Sequence, residues 1–91
     1  MTIEVENNKY EIITNHKDAF DKEEFISKCT DYFYDYDYIV GDIAYSKLRL
    51  KGFYDSKNKK AKKLNDYKFL DKYLHDNCAV DCKYFVAKKI N

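Results

Sequence analysis

Two alternating runs, residues 37–45 and 47–54, meet at a turn with room for only two residues. Strand side chains change face with period two, and a two-residue turn keeps the register of faces across a hairpin. Ile39, Gly41, Ile43 and Tyr45 therefore share a side with Leu48, Leu50, Gly52 and Tyr54. That side is the expected core. Both glycines of the chain fall on it. Glycine weakens a strand interior and marks close approach by another group. A helix or a large aromatic ring is expected to fill the missing volume.

The opposite side carries Tyr38, Val40, Asp42 and Ala44 beside Arg49, Lys51 and Phe53. The turn is either Tyr45-Ser46 or Ser46-Lys47, so Asp42 opposes Arg49 in one register and Lys51 in the other. An opposite-charge pair across strands contributes roughly 0.2–1 kcal/mol.

The remaining elements follow from periodicity and caps, because the chain has no proline. Residues 2–6 and 9–14 alternate around Asn7-Asn8 and predict a first hairpin. Asp21 is placed to cap a helix, with Glu24 three residues on. Phe20 and Phe25 have the spacing of a hydrophobic staple. Phe25, Ile26, Cys29 and Phe33 share one helical face, which fades near Tyr34. A second helix is expected over 65–77, capped at Asn65 and stapled by Leu64 and Phe69, with Tyr67, Leu70, Tyr73 and Leu74 inward. The last strand alternates Cys82, Tyr84, Val86 and Lys88 with Lys83, Phe85 and Ala87. It is apolar on both faces at its centre, as an inner strand is. The fold class is α+β, in the order ββαββαβ, with an antiparallel-rich sheet against two helices. Ninety-one residues suit one domain, 1–91.

Charge divides the chain. Met1 to Ser46 holds eleven acidic and four basic residues, a balance of −7. Lys47 to Asn91 holds five acidic and thirteen basic, a balance of +8. The division points to an anionic partner for the second half, or to two halves that neutralise each other in the fold. No run approaches the roughly 18 apolar residues of a membrane span. No basic-then-apolar leader opens the chain, and three cysteines make no disulfide framework. These features predict a cytoplasmic protein with no membrane partner.

Tyr36-Asp37-Tyr38-Ile39-Val40-Gly41-Asp42, followed by Leu48-Arg49-Leu50-Lys51-Gly52-Phe53-Tyr54, resembles the signature of the YutD-like family of low-GC Gram-positive bacteria. Tyr73-Leu74, then Cys78, Cys82, Tyr84, Phe85 and Val86, resembles that family's C-terminal motif. The resemblance covers most of residues 2–89. It implies an α+β fold and a cytoplasmic protein, and it supplies no reaction.

Several constellations bear on chemistry. Lys51-Gly52-Phe53-Tyr54 echoes an RNA-recognition-motif core. Asp55 interrupts the echo, and Ile3-Glu4-Val5 offers no partner aromatics. A broader nucleic-acid reading places Arg49, Lys51, Phe53 and Tyr38 on a solvent face of the hairpin, where cations meet phosphates and rings stack on bases. Lys59 and Lys60, in the run Lys57–Lys63, add long-range attraction. The competing reading pairs Arg49 and Lys51 with Asp42 and covers the rings with a helix. A protein partner, or a second copy, is the other class. Tyr34 and Tyr36, in a tyrosine-rich run, are its candidate contacts. His75, Cys78 and Cys82 are the nearest approach to a metal cluster, but zinc wants four ligands. No metal or cofactor is expected, and Cys78 with Cys82 lacks the thioredoxin spacing. His16 is expected in a solvated connection, and Asp35 and Asp37 are expected to serve solubility. No catalytic set fills named roles, so a non-enzymatic binding protein is expected. Its partner is RNA, DNA or the ribosome, with a protein as the alternative.

Overall fold

The computed structural model describes residues 1–77 and 82–91. Strand β1 (Thr2–Val5) turns into β2 (Asn8–His16), followed by helix α1 (Lys22–Lys28) and a 3₁₀ turn at Asp31–Phe33. Strands β3 (Tyr38–Ala44) and β4 (Lys47–Phe53) form the second hairpin. A second 3₁₀ turn (Tyr67–Phe69) runs into helix α2 (Leu70–Asn77), and β5 (Tyr84–Lys89) ends the fold. The five strands line up β1-β2-β5-β3-β4, with every neighbour antiparallel. The expected α+β class and element order hold. The chain's last strand lies in the middle, which explains the apolar residues on both of its faces.

The hairpin register resolves as Asp42 opposite Arg49, with Tyr45-Ser46 as the turn. Both turn residues have positive φ, 53° and 63°. That is the twist-matched geometry of a two-residue hairpin, and it suits Asn-Gly better than Tyr-Ser. The first hairpin turns at Glu6-Asn7, with φ of 49° and 73°, one residue earlier than the sequence suggests. Strand β2 runs on to His16, whose ring packs 5.3 Å from that of Tyr84, so His16 is not in a connection. A bulge at Ile13 moves Thr14 off the face shared by Tyr10 and Ile12.

Each face of the sheet is covered. On one, Ile3, Val5, Tyr10, Ile39, Leu48, Phe85 and Ala87 pack under Phe25 and Cys29 of the α1 segment. Asp21 caps α1 by accepting from the Glu24 N–H at 3.1 Å, and the Phe20 and Phe25 rings lie 5.6 Å apart. The helix ends at Cys29, earlier than periodicity suggests, and Ile26 is exposed. The 3₁₀ turn then redirects the chain so that Tyr36 reaches the sheet.

On the other face, Tyr38, Val40, Phe53 and Val86 pack under Tyr67, Leu70, Tyr73 and Leu74. This is the side of the hairpin that the nucleic-acid reading placed in solvent and the competing reading placed under a helix, and the helix covers it. It is a second core. The cap is Asp66 and not Asn65: it heads the 3₁₀ turn that leads into α2 and accepts from the Lys68 N–H at 3.0 Å. Leu64 is 82% exposed and makes no staple.

Both glycine notches are filled by rings. A Cβ on Gly41 would meet Phe85 ring atoms at 2.2 and 2.3 Å. One on Gly52 would meet the Tyr36 ring at 2.3 Å. Phe85 is fully buried and cannot withdraw, whereas Tyr36 is half-buried and has room to move.

Gly41→Ala should therefore cost about 2–3 kcal/mol in chemical denaturation, and Gly52→Ala less. The Gly41 penalty should shrink in a Phe85→Leu background, because the clashing ring atoms are gone. Replacing Tyr45-Ser46 with Asn-Gly should raise stability by about 1 kcal/mol, since both new residues tolerate positive φ.

Candidate functional site

Asp42 sits in the centre of the sheet with no exposed surface. Its carboxylate receives the Arg49 guanidinium from the facing position on β4. The same guanidinium donates to the Asn77 carbonyl at the end of α2, at 2.8 Å. A cation there also complements the negative end of the helix. Arg49 thus ties hairpin to helix, and the bond to Asp42 holds it firmly in its charged form. The guanidinium is used internally.

The other predicted nucleic-acid residues are also accounted for. Tyr38 is buried and stacks on Tyr67 with ring centroids 3.7 Å apart and planes 7° from parallel. Phe53 is buried against Tyr73, edge to face at 5.5 Å. Neither ring is open to a base, because α2 covers both. Lys60 binds Asp35, whose carboxyl is held below the usual range by that bond and by the Tyr54 hydroxyl. Lys59 alone of the six is both exposed and away from these contacts.

The lysine-rich segment is a folded loop. Its base is closed by Tyr54 N–H to the Asn65 carbonyl at 2.7 Å and Tyr67 N–H to the Tyr54 carbonyl at 2.9 Å. Asp37 accepts from the Asp55 N–H and the Asn58 amide at 2.8 and 3.0 Å. Asp35 and Asp37, read above as solubilising, fasten this loop to the start of β3. Ser56 donates to Asp66, and that bond lowers the Asp66 pKa most.

The candidate partner tyrosines are used in packing. Tyr36 fills the Gly52 notch, its ring 4.7 Å from Tyr54. Its pKa is pushed up to about 12, first by the hydrogen bond with the Tyr32 hydroxyl. Tyr34 is half-buried against the first core, and its carbonyl accepts from Lys89 at 2.6 Å. The exposed members are Tyr32 and, at 99%, Tyr45 on the hairpin tip. A 3₁₀ turn at Asp31–Phe33 opens the tyrosine-rich run and, with its threefold spacing, turns Tyr34 and Tyr36 into packing positions.

Closing the loop onto α2 creates a cavity of about 310 Å³. Phe53, Phe69 and Tyr73 line it with rings, and Lys51, Lys63 and Lys72 supply cations. Leu64, Asp76 and Asn77 complete it. The Lys51 ammonium lies over the Phe53 and Tyr73 rings at 5.2 and 5.6 Å. Lys72 pairs with Asp76 at 2.9 Å, and that hydrogen bond lowers the Asp76 pKa. Burial raises the Tyr73 pKa, so its hydroxyl is neutral at physiological pH. Among the described residues, Lys51 and Lys63 have no ion-pair partner. Leu64 stands in water at the edge, and covering such a side chain contributes about 1.5–3 kcal/mol.

Two of the predicted residues, Lys51 and Phe53, line this cavity. Lys63, Lys72, Phe69 and Tyr73 were missed as site residues. The helical spacing of Phe69 with Tyr73, and of Lys72 with Asp76, was the available signal. His75 is exposed beside Asp76, while Cys78 lies outside the described residues. Among the described residues no group of three His, Cys, Asp or Glu side chains could hold a metal. No described helix is long and apolar enough to cross a membrane.

Comparison with known proteins follows the whole fold. A family described as "Putative antitoxin YutD-like" matches over residues 4–88. A Bacillus subtilis (strain 168) protein named "Putative antitoxin YutD" is 43% identical over 86 residues, covering 94% of each chain. The solution NMR structure of protein yutD from B. subtilis superposes with a TM-score of 0.83 at 42% identity, covering all of this chain and 83% of that one.

Arg49→Ala should destabilise the fold by about 3 kcal/mol, because it removes the guanidinium that faces the buried Asp42 carboxylate. Adding Asp42→Asn should recover much of that loss. Urea denaturation of the single and double variants checks both.

Proposed function

The chain belongs to the YutD-like family, and on that premise we propose that it is a non-catalytic cytoplasmic binding protein of the antitoxin type, acting on a protein partner through the lysine-rimmed aromatic cavity. The observation that carries this reading is the cavity itself. It gathers three ammonium groups and three rings at one opening, beside a leucine left in water. Aromatic side chains with a nearby exposed leucine suit an interface centre, with charges at the rim. The family supports the partner class, since the similar B. subtilis protein carries "antitoxin" in its name, and an antitoxin opposes a partner. Binding, and not proton transfer, also fits the ionisation of the lining groups. The pKa values of Asp76, lowered, and of Tyr73, raised, both move away from pH 7, so neither group is poised for proton transfer.

A nucleic-acid partner through the hairpin face has lost its main support, because Tyr38 and Phe53 are covered and Arg49 is engaged. Affinity purification with and without nuclease separates the classes. A protein partner should survive nuclease treatment and be lost on Lys51→Glu with Lys63→Glu. Loss of all binding after nuclease, or capture indifferent to the two lysines, contradicts the proposal.

A further inference from the structure

The cavity has a shape and a charge that narrow what can enter it. Its volume, about 310 Å³, is at the small end of ligand-sized pockets. It lies between Lys51 and Phe53 of β4, Lys63-Leu64 of the loop, and the Phe69–Asn77 segment. Phe53 and Tyr73 stand edge to face, with planes 75° apart, so they do not form parallel platforms for successive bases. Arginine, the bidentate phosphate reader, is absent from the lining. The lining holds three lysines and one aspartate, a balance of +2, and the aspartate is already matched by Lys72. Lysine ammonium groups donate and cannot accept, so the complementary groups are anionic acceptors.

We propose, building on the reading of the cavity as a docking surface, that its occupant is an acidic segment of a partner protein carrying one aromatic side chain. The ring enters beside the half-buried Phe69 and Tyr73, with the buried Phe53 behind them as the cavity wall, and comes to rest under the exposed Leu64. Flanking carboxylates meet Lys51 and Lys63, whose ammonium groups have no carboxylate of their own among the described residues. Lys51 is placed for this by its seat over two rings, which fixes its charge at the aromatic wall. Lys68, over the Phe69 ring at 5.2 Å, adds a further cation at the same end.

The test is an NMR titration of the full chain with a blocked hexapeptide of glutamates around one phenylalanine. Shifts should concentrate at Lys51, Phe53, Lys63, Phe69 and Tyr73. Replacing the peptide's phenylalanine with alanine should weaken binding about tenfold or more, as should Lys51→Glu with Lys63→Glu in a protein of unchanged circular dichroism. A phenylalanine-free peptide that binds as well overturns the proposal. So does a single-stranded oligonucleotide or inorganic phosphate that shifts the same residues at lower concentration, or the absence of any shift at millimolar peptide. The underlying reading is tested apart from it. If partner capture depends on Lys51 and Lys63 but the acidic peptide does not compete, the docking surface stands and this occupant does not.

Discussion

The Phe85 ring occupies the space that any residue other than glycine would fill at position 41. This contact lets the last strand lie flush against β3 in the middle of the sheet. From there Phe85 meets Phe20 and Phe25 edge to face at 5.1 and 5.7 Å, which anchors the α1 layer. The neighbouring residue, Val86, points the other way and supports the α2 layer. One strand, inserted by one notch, therefore organises both cores. The cavity is a consequence, because α2 covers Tyr38 and Phe53 but leaves a space between the helix and the loop.

Charge is arranged on the same frame. Among the described residues, the acidic first half meets the basic second half where Asp42 pairs with Arg49 and Asp35 with Lys60. Each pair does a structural task, the first clamping α2 to the hairpin and the second fastening the loop to the sheet. The neutralisation is incomplete. Lys51 and Lys63 stay without carboxylate partners among the described residues, on the rim of an aromatic pocket. A surface that leaves cations and an exposed leucine together has not been satisfied by the described residues of the chain.

The architecture was legible wherever a local rule settled it. Alternation defined β3, β4 and β5, the Asp21 cap and its staple located α1, and the glycines announced ring insertion. The YutD-like family was readable from the hairpin and C-terminal motifs. What escaped were outcomes decided by distant contacts. Alternation names two faces of a hairpin but not how many layers cover them, so Tyr38 and Phe53 could be read either as exposed or as covered by a helix. The helix from Asp21 stops at Cys29, short of the periodicity, and the chain continues through a 3₁₀ turn to put Tyr36 at Gly52. Leu64 looked like a staple, yet the loop holds it outward. The cavity joins residues 51 and 53 to residues 63–77, and no spacing rule links segments that approach only through loop closure.

Lysine reactivity measures the central claim most directly. The protein, alone and bound to its captured partner, would be treated with a limiting amine-acetylating reagent and mapped by mass spectrometry. The account predicts that Lys51, Lys63 and Lys72 are protected in the complex while Lys57 and Lys59, on the outer part of the loop, react as before. Protection of Lys57 and Lys59 with no change at Lys51, Lys63 and Lys72 would contradict it.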